Sequence, residues 1–431
     1  MKSIERMGSA ALALGILLAS GMVFAPSARA QTEVIVHSFD SEADGSKPDE
    51  PLIRDREGNL YGVTGTGGTA DLGTVFKIGR DGTKTILYSF TGAPDGQNPT
   101  GGLAWDREGN LIGTTAYGGD LTDCVESNTG CGTVFKLDPR RCKETVLYRF
   151  KGIPDGEFPW AGVTLDEEGN IYGTTFYGGT SGAVYSGGGS NNCCGTVFKL
   201  NRWGNETVLY SFTGLDEVGV STDGQSPDGR LARDEEGNLY GTATRGGLSD
   251  EGILFKVDRT GKETVLHTFT GPDGADPLFV DLIFDRAGNL YGTTSGGGTS
   301  GNGTVFKVDR TGALTTLYSF NAAPDGALPS GALVFDAEGN LSGTTKSGSN
   351  AVINGESGVG GTVFKLDKAG NETVLHNFTG SPDGLEPQAG LIFDGRDKLY
   401  GTTVEGGTGT SCKFGAPFGC GTVFELTLPR P

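Results

Sequence analysis

The sequence predicts an all-β chain, a seven-bladed β-propeller of four-stranded blades, and three observations carry that expectation. The run GTVFKIG at Gly73 returns with small changes at Gly132, Gly195, Gly252, Gly303, Gly361 and Gly421. The run NLYGVT at Asn59 returns at Asn110, Asn170, Asn238, Asn289 and Asn340, and as KLYGTT at Lys398. A third marker, DGxxP, begins at Asp44, Asp95, Asp155, Asp223, Asp273, Asp325 and Asp383. Markers that recur in fixed order point to one repeat architecture rather than to several unrelated domains.

Each unit reads as two consecutive hairpins. LIFD (282–285) turns through Arg286-Ala287-Gly288 into NLYGTT; a Gly-rich loop leads to GTVFKVD, which turns through Arg310-Thr311-Gly312 into LTTLYSF. Apolar and β-branched residues alternate with polar ones, and Asp or Gly punctuates the tight turns. Units of roughly 50 to 68 residues with four antiparallel strands are propeller blades. No segment after residue 30 shows sustained helical periodicity, which sets aside the helical solenoids.

The ends of the chain are offset by one strand. EVIVHSF at 33–39 matches the fourth strand of a unit, whereas the last unit stops at GTVFELT, a third strand. Residues 33–39 are therefore expected to complete the last blade and close the ring, making 31–431 a single domain without an open inter-blade face.

Composition fits this picture. Of 431 residues 76 are glycine, but without the three-residue period of collagen, and 23 Phe with 12 Tyr are too many for a disordered chain. Residues 1–30 read as a signal peptide: a basic start, an apolar stretch from Ala10 to Ala25 and a small-residue site after Ala30. The stretch is shorter than the roughly 20 residues a membrane span needs, and Pro26 follows it. Removing this segment takes Lys2, Arg6 and Arg29 against Glu5 and moves the formal charge from −19 to about −21. Such a charge argues against nucleic acid and anionic lipid as partners. The expectation is a secreted or periplasmic monomer with no membrane insertion.

The unit GTVFKLDxxGxETVLYSFTGxxDGxxPxAGLIFDxxGNLYGTTxxGG resembles the Gloeobacter and Verrucomicrobia (GloVer) type of bacterial tandem repeat, over residues 33–427. The resemblance implies secretion and a repeat architecture, often with a C-terminal sorting segment. This chain ends at Pro431 directly after a strand and shows no such segment, so the resemblance leaves cell-surface attachment open. The family brings no activity or catalytic residues to carry over.

With strands lettered A to D from the axis outwards, the A–B and C–D turns are short and uniform and pave one face. The B–C loops and D–A connections emerge on the other, where nearly all length variation falls: residues 116–131, 176–194, 216–226, 346–360 and 404–420. Variable loops on a fixed scaffold are where binding specificity usually sits. Cys124 with Cys131 and Cys412 with Cys420 bracket two of these loops and are expected to form disulfides. Cys193 and Cys194 are adjacent, and their pairing, with each other or elsewhere, stays open; Cys142 is the odd thiol. No CxxC pair is present to hold a metal.

The three histidines, His37, His267 and His376, share one repeat position that is Tyr in the other units, so they are expected to be scaffold. The DGxxP aspartates are expected to accept turn amides; Asp95, Asp155 and Asp223 are weak candidates for a Ca²⁺ role, and no other cofactor is expected. No unrepeated pair of carboxylates stands out for glycoside hydrolysis. The non-repeated signal is aromatic: Phe158 and Trp160 in a D–A connection, and Tyr117, Phe176, Tyr177 and Tyr185 in B–C loops of neighbouring units. Flat rings among polar residues suit the apolar faces of sugars. The leading expectation is thus a non-catalytic propeller binding an extracellular glycan or protein on its long-loop face. A propeller glycosidase or polysaccharide lyase using loop carboxylates and a structural surface component are the alternatives.

Overall fold

The seven sequence units become seven antiparallel sheets of four strands in a computed structural model. It describes residues 32–429 apart from 123, 125–127, 181–193, 215–220, 354–355, 410–411 and 413–418. Blade 5 shows the pattern: Ile283–Phe284, Leu290–Thr294, Thr304–Val308 and Leu314–Ser319 pair in that order from strand A to strand D. Strand A is only two residues long in most blades, shorter than the LIFD run suggests.

Blade 7 is completed as the offset at the ends requires. Thr32–Ser38 lies antiparallel to Thr422–Thr427, which pairs with Lys398–Thr403 and then Ile392–Phe393. Its register, Thr32 opposite Thr427 and His37 opposite Val423, contains the same strand-D bulge found at this point in the other blades. Thr32–Ser38 and Thr422–Thr427, far apart in sequence, are thereby fixed in one sheet.

The core is distributed between the sheets. The Phe of each GTVF strand meets the Phe ending strand D of the preceding blade: Phe90 with Phe135 at 5.1 Å, Phe212 with Phe255 at 5.1 Å, and, across the closure, Phe39 with Phe76 at 5.4 Å. These rings meet edge to face, the favoured arrangement for aromatic quadrupoles, and are at most 1% exposed. Each such ring also lies over the Gly of the neighbouring YGTT strand. A Cβ on Gly62 would come within 2.6 Å of Phe76, and one on Gly292 within 2.7 Å of Phe306. Glycine is needed here for space, with no positive φ involved.

Candidate functional site

The scaffold holds seven short segments around the axis. The Gly opening each GTVF strand packs against the Pro of the following DGxxP: a Cβ on Gly73 would fall 2.4 Å from Pro99, and one on Gly421 2.6 Å from Pro48. The first Thr of YGTT then ties down the residues after that Pro. Thr114 Oγ1 donates to the Ala161 carbonyl at 2.9 Å, Thr344 Oγ1 to that of Ala389 at 2.9 Å, and Thr402 Oγ1 to that of Glu50 at 3.4 Å. Blades with Thr114, Thr344 and Thr402 thus hold the next blade's axial segment through its backbone, whatever its side chains are, whereas blade 1 has Val63 at this position.

What they are differs between units. Between the Pro of DGxxP and the Leu or Val before strand A stand DEP (49–51), TGG (100–102), WAG (160–162), DGR (228–230), LFVD (278–281), SGA (330–332) and QAG (388–390). At the long-loop end of the axis these segments enclose a cavity of ≈ 180 Å³ lined from all seven, including Asp49, Glu50, Thr100, Trp160, Asp228, Phe279, Asp281 and Gln388. Larger grooves of ≈ 640 and ≈ 700 Å³ lie between blades on the short-turn face, lined mainly by repeat residues.

Arg230 lies next to the lining residues Asp281 and Gly162. Its Nε is 3.7 Å from Asp281 and its Nη2 lies 3.5 Å from the Leu103 carbonyl, across space left by Gly102 and Gly162, where a Cβ would approach it to 2.7 and 2.5 Å. Asp228, 2% exposed, accepts the Phe279 amide at 3.1 Å and the Thr244 hydroxyl at 3.1 Å. Asp49 and Glu50 keep a partly exposed edge at the mouth. The Oδ1 of Asp49 and the hydroxyl of Thr100 are buried and accept or donate no hydrogen bond within the protein. Burial pushes the Asp49 carboxyl up to about 6 and the Asp228 carboxyl up to about 7. Burial, then the charges of Asp49 and Asp281, holds Glu50 well above the usual carboxylate range despite Arg230. Enclosed carboxyls in a cleft with shifted proton affinity are a common mark of a functional site.

The aromatic residues singled out in the sequence meet in space. Tyr117 contacts Phe158 at 5.1 Å, Phe158 contacts Tyr177 at 5.9 Å and stacks with Trp160 at 6.4 Å, and Trp160 leans on Phe176 at 4.2 Å. Phe176 and Tyr177 meet at 4.7 Å. The ridge reaches the axial cavity through Trp160, which lies 6.5 Å from Phe279 on the opposite rim. Tyr185 lies outside the described residues. Phe279 and the axial acids Asp49, Glu50, Asp228 and Asp281 are absent from the sequence-based candidates. The signal was available in the seven aligned windows, where acids and an arginine replace the Gly, Ala and Ser of other units.

Other candidates stay apart. Asp95, Asp155 and Asp223 sit in separate blades, each accepting a hydrogen bond from a strand-D tyrosine: Tyr88 at 3.0 Å, Tyr148 at 2.9 Å and Tyr210 at 2.7 Å. His37 and His267 take the tyrosine's place toward Asp44 and Asp273, at 3.0 and 2.7 Å, and His376 toward Asp383 at 3.3 Å, which fits their reading as scaffold. Cys124–Cys131 and Cys412–Cys420 are disulfides, Cys194 is also disulfide-bonded, Cys193 lies outside the described residues, and Cys142 is free and exposed. Such bonds suit a non-cytoplasmic environment. Among the described residues no helix is long and apolar enough to cross a membrane.

Fold and axial site together define a β-propeller repeat protein with a cavity at one end of its axis. The Gloeobacter/Verrucomicrobia repeat family matches residues 14–217 and 264–430, and the chain belongs to it. No curated protein matches. Among solved structures, a GH74 enzyme of Niastella koreensis is similar at TM-score 0.54 and 16% identity, over 86% of this chain and 52% of that one. The oligogalacturonate lyase of Vibrio parahaemolyticus is similar at 0.51 and 11% identity, over 93% and 98%. TolB of Acinetobacter baumannii gives 0.41 at 14% identity, and 74% of this chain spans 62% of its length. At these identities the likeness is one of fold.

Proposed function

We propose that this chain is a secreted, non-catalytic propeller that binds an extracellular glycan along the aromatic ridge from Tyr117 to Phe279. The observation that carries the reading is the continuity of the ridge: rings from two D–A connections and two B–C loops reach the rim of the axial cavity. Sugar rings present apolar faces that stack on such surfaces while their hydroxyls bond to polar neighbours. The cavity is below the roughly 300–1,000 Å³ of drug-sized pockets, so it accepts one group of a longer ligand whose remainder lies on the ridge. The disulfides of the long-loop face suit a chain that works outside the cytoplasm.

A glycan array probed with the purified protein tests this. Binding to a polysaccharide class that falls about ten-fold or more in Trp160→Ala, with an unchanged melting curve, is the expected result. Absence of binding across the array sinks the reading. The enclosed axial carboxyls favour one second reading, a propeller glycosidase or polysaccharide lyase. Reducing ends or unsaturated sugars released from a bound polysaccharide, and lost in Asp228→Asn, would establish it instead.

A further inference from the structure

The axial cavity gathers four acidic side chains that share few cationic partners. Asp49, Glu50, Asp228 and Asp281 line it, and the nearby Arg230 is engaged with Asp281 and the Leu103 carbonyl. Lys47, beside Asp49, is the other positive charge acting on the group. The buried Oδ1 of Asp49 and the Thr100 hydroxyl are polar atoms in the wall that no protein group satisfies. The same lining includes the rings of Trp160 and Phe279, 6.5 Å apart, with Pro51, Ala161 and Ala389 as further apolar surface.

Two kinds of cation suit a pocket lined by acidic groups. A hard cation such as Ca²⁺ takes six to eight oxygen ligands, and much of this lining is hydrocarbon from Pro51, Trp160, Ala161, Phe279 and Ala389. An organic ammonium uses both kinds of lining: carboxylates accept its N–H groups and aromatic faces attract its charge. We infer that the axial cavity receives an ammonium group of the ligand, so that the glycan bound by this chain is one carrying free amines, as amino sugars do. This rests on the glycan reading and specifies it.

Docking an ammonium also displaces protons. Burial raises the proton affinity of the Asp49, Glu50 and Asp228 carboxyls, and a cation set against them favours their ionised forms. Binding then releases protons, so the measured heat varies with the ionisation heat of the buffer. A neutral sugar resting on the ridge has no such effect.

The test is titration calorimetry of the full chain with a β-1,4-glucosamine tetramer and with its fully N-acetylated counterpart, at pH 6 in two buffers. The expected result is about ten-fold or tighter binding of the free amine form, with proton release. The isosteric pair Asp49→Asn and Glu50→Gln should abolish both the preference and the release while a thermal melt shows the fold intact. Equal affinities, or a preference for the acetylated form, overturn the ammonium assignment and leave the glycan reading standing. Saturation by calcium chloride alone without amine preference overturns it too. If neither tetramer nor any arrayed glycan binds, both readings fall.

Discussion

At the scale of single residues, the repeated glycines and the axial residues obey opposite rules. Gly62 and its six equivalents are fixed by the ring lying over them, so Gly62→Ala pushes a methyl into Phe76. Overpacking of this kind costs about 1–3 kcal/mol, and urea denaturation should show it. Adding Phe76→Leu should return part of the loss, because the obstacle is that ring and not the backbone; no recovery would argue for a different cause. The second Thr of YGTT teaches the same lesson in polar terms. Thr64 and Thr74 share a buried hydroxyl pair at 2.8 Å, and blade 4 places Ala243 opposite Ile253 at this position. Both partners change together, as they must where one orphaned hydroxyl would be left buried. Axial residues have no such partner in the repeat, which is why they are free to differ from blade to blade.

At the scale of strands, the joint between adjacent blades contains a titratable pair. In strand D, Glu144, Glu206, Glu263 and Glu372 face Asp95, Asp155, Asp223 and Asp325 of the preceding connection, and burial followed by that neighbouring charge pushes each glutamate up to about 7. The folded state thus holds protons that the unfolded chain gives up near pH 4.5. Their contribution to stability is full below that value and is lost as pH rises through about 7. The A–B turns act in the other direction: against the cost of burial, hydrogen bonds from Asn59 and Asn289 hold Asp55 and Asp285 below the usual range, a contribution lost as pH falls below about 4. The melting temperature should therefore peak between about pH 4.5 and 6 and decline toward pH 8. Replacing the four glutamates with Gln should flatten that decline; an unchanged slope would assign it to overall charge repulsion. In blade 1 the equivalent position is Lys84, which pairs with Asp44 at 2.7 Å, so this one joint is an ion pair.

At the scale of the whole molecule, the ring was legible from sequence and the site only in part. Blade number, strand order and the completing strand are each written seven times or forced by the offset of the ends, so local variation does not obscure them. The aromatic ridge was legible because Tyr117, Phe158, Trp160, Phe176 and Tyr177 belong to neighbouring units. Asp49 and Asp228 come from units far apart in the chain and stand inside an otherwise repeated motif. Only closure of the circle brings such positions to one axis, and periodicity carries no record of it. Phe279 was hidden by the extra residue of its window, LFVD against three residues elsewhere.

Closure also makes a prediction. A chain lacking residues 1–39 loses Phe39 from its contact with Phe76 and uncovers the edge of Thr422–Thr427. Loss of a buried Phe side chain costs about 3–5 kcal/mol, and an uncovered edge strand recruits another. Denaturation should show lower stability, and light scattering should show association; a monomer as stable as the intact chain would refute the structural role of the strand. Six blades are built from consecutive residues and can form as soon as their own stretch has been synthesised. The seventh pairs Thr32–Ser38 with Thr422–Thr427, so Thr32–Ser38 stays without its partner while the other six blades are synthesised and is open to a protease or chaperone until Thr422–Thr427 arrives.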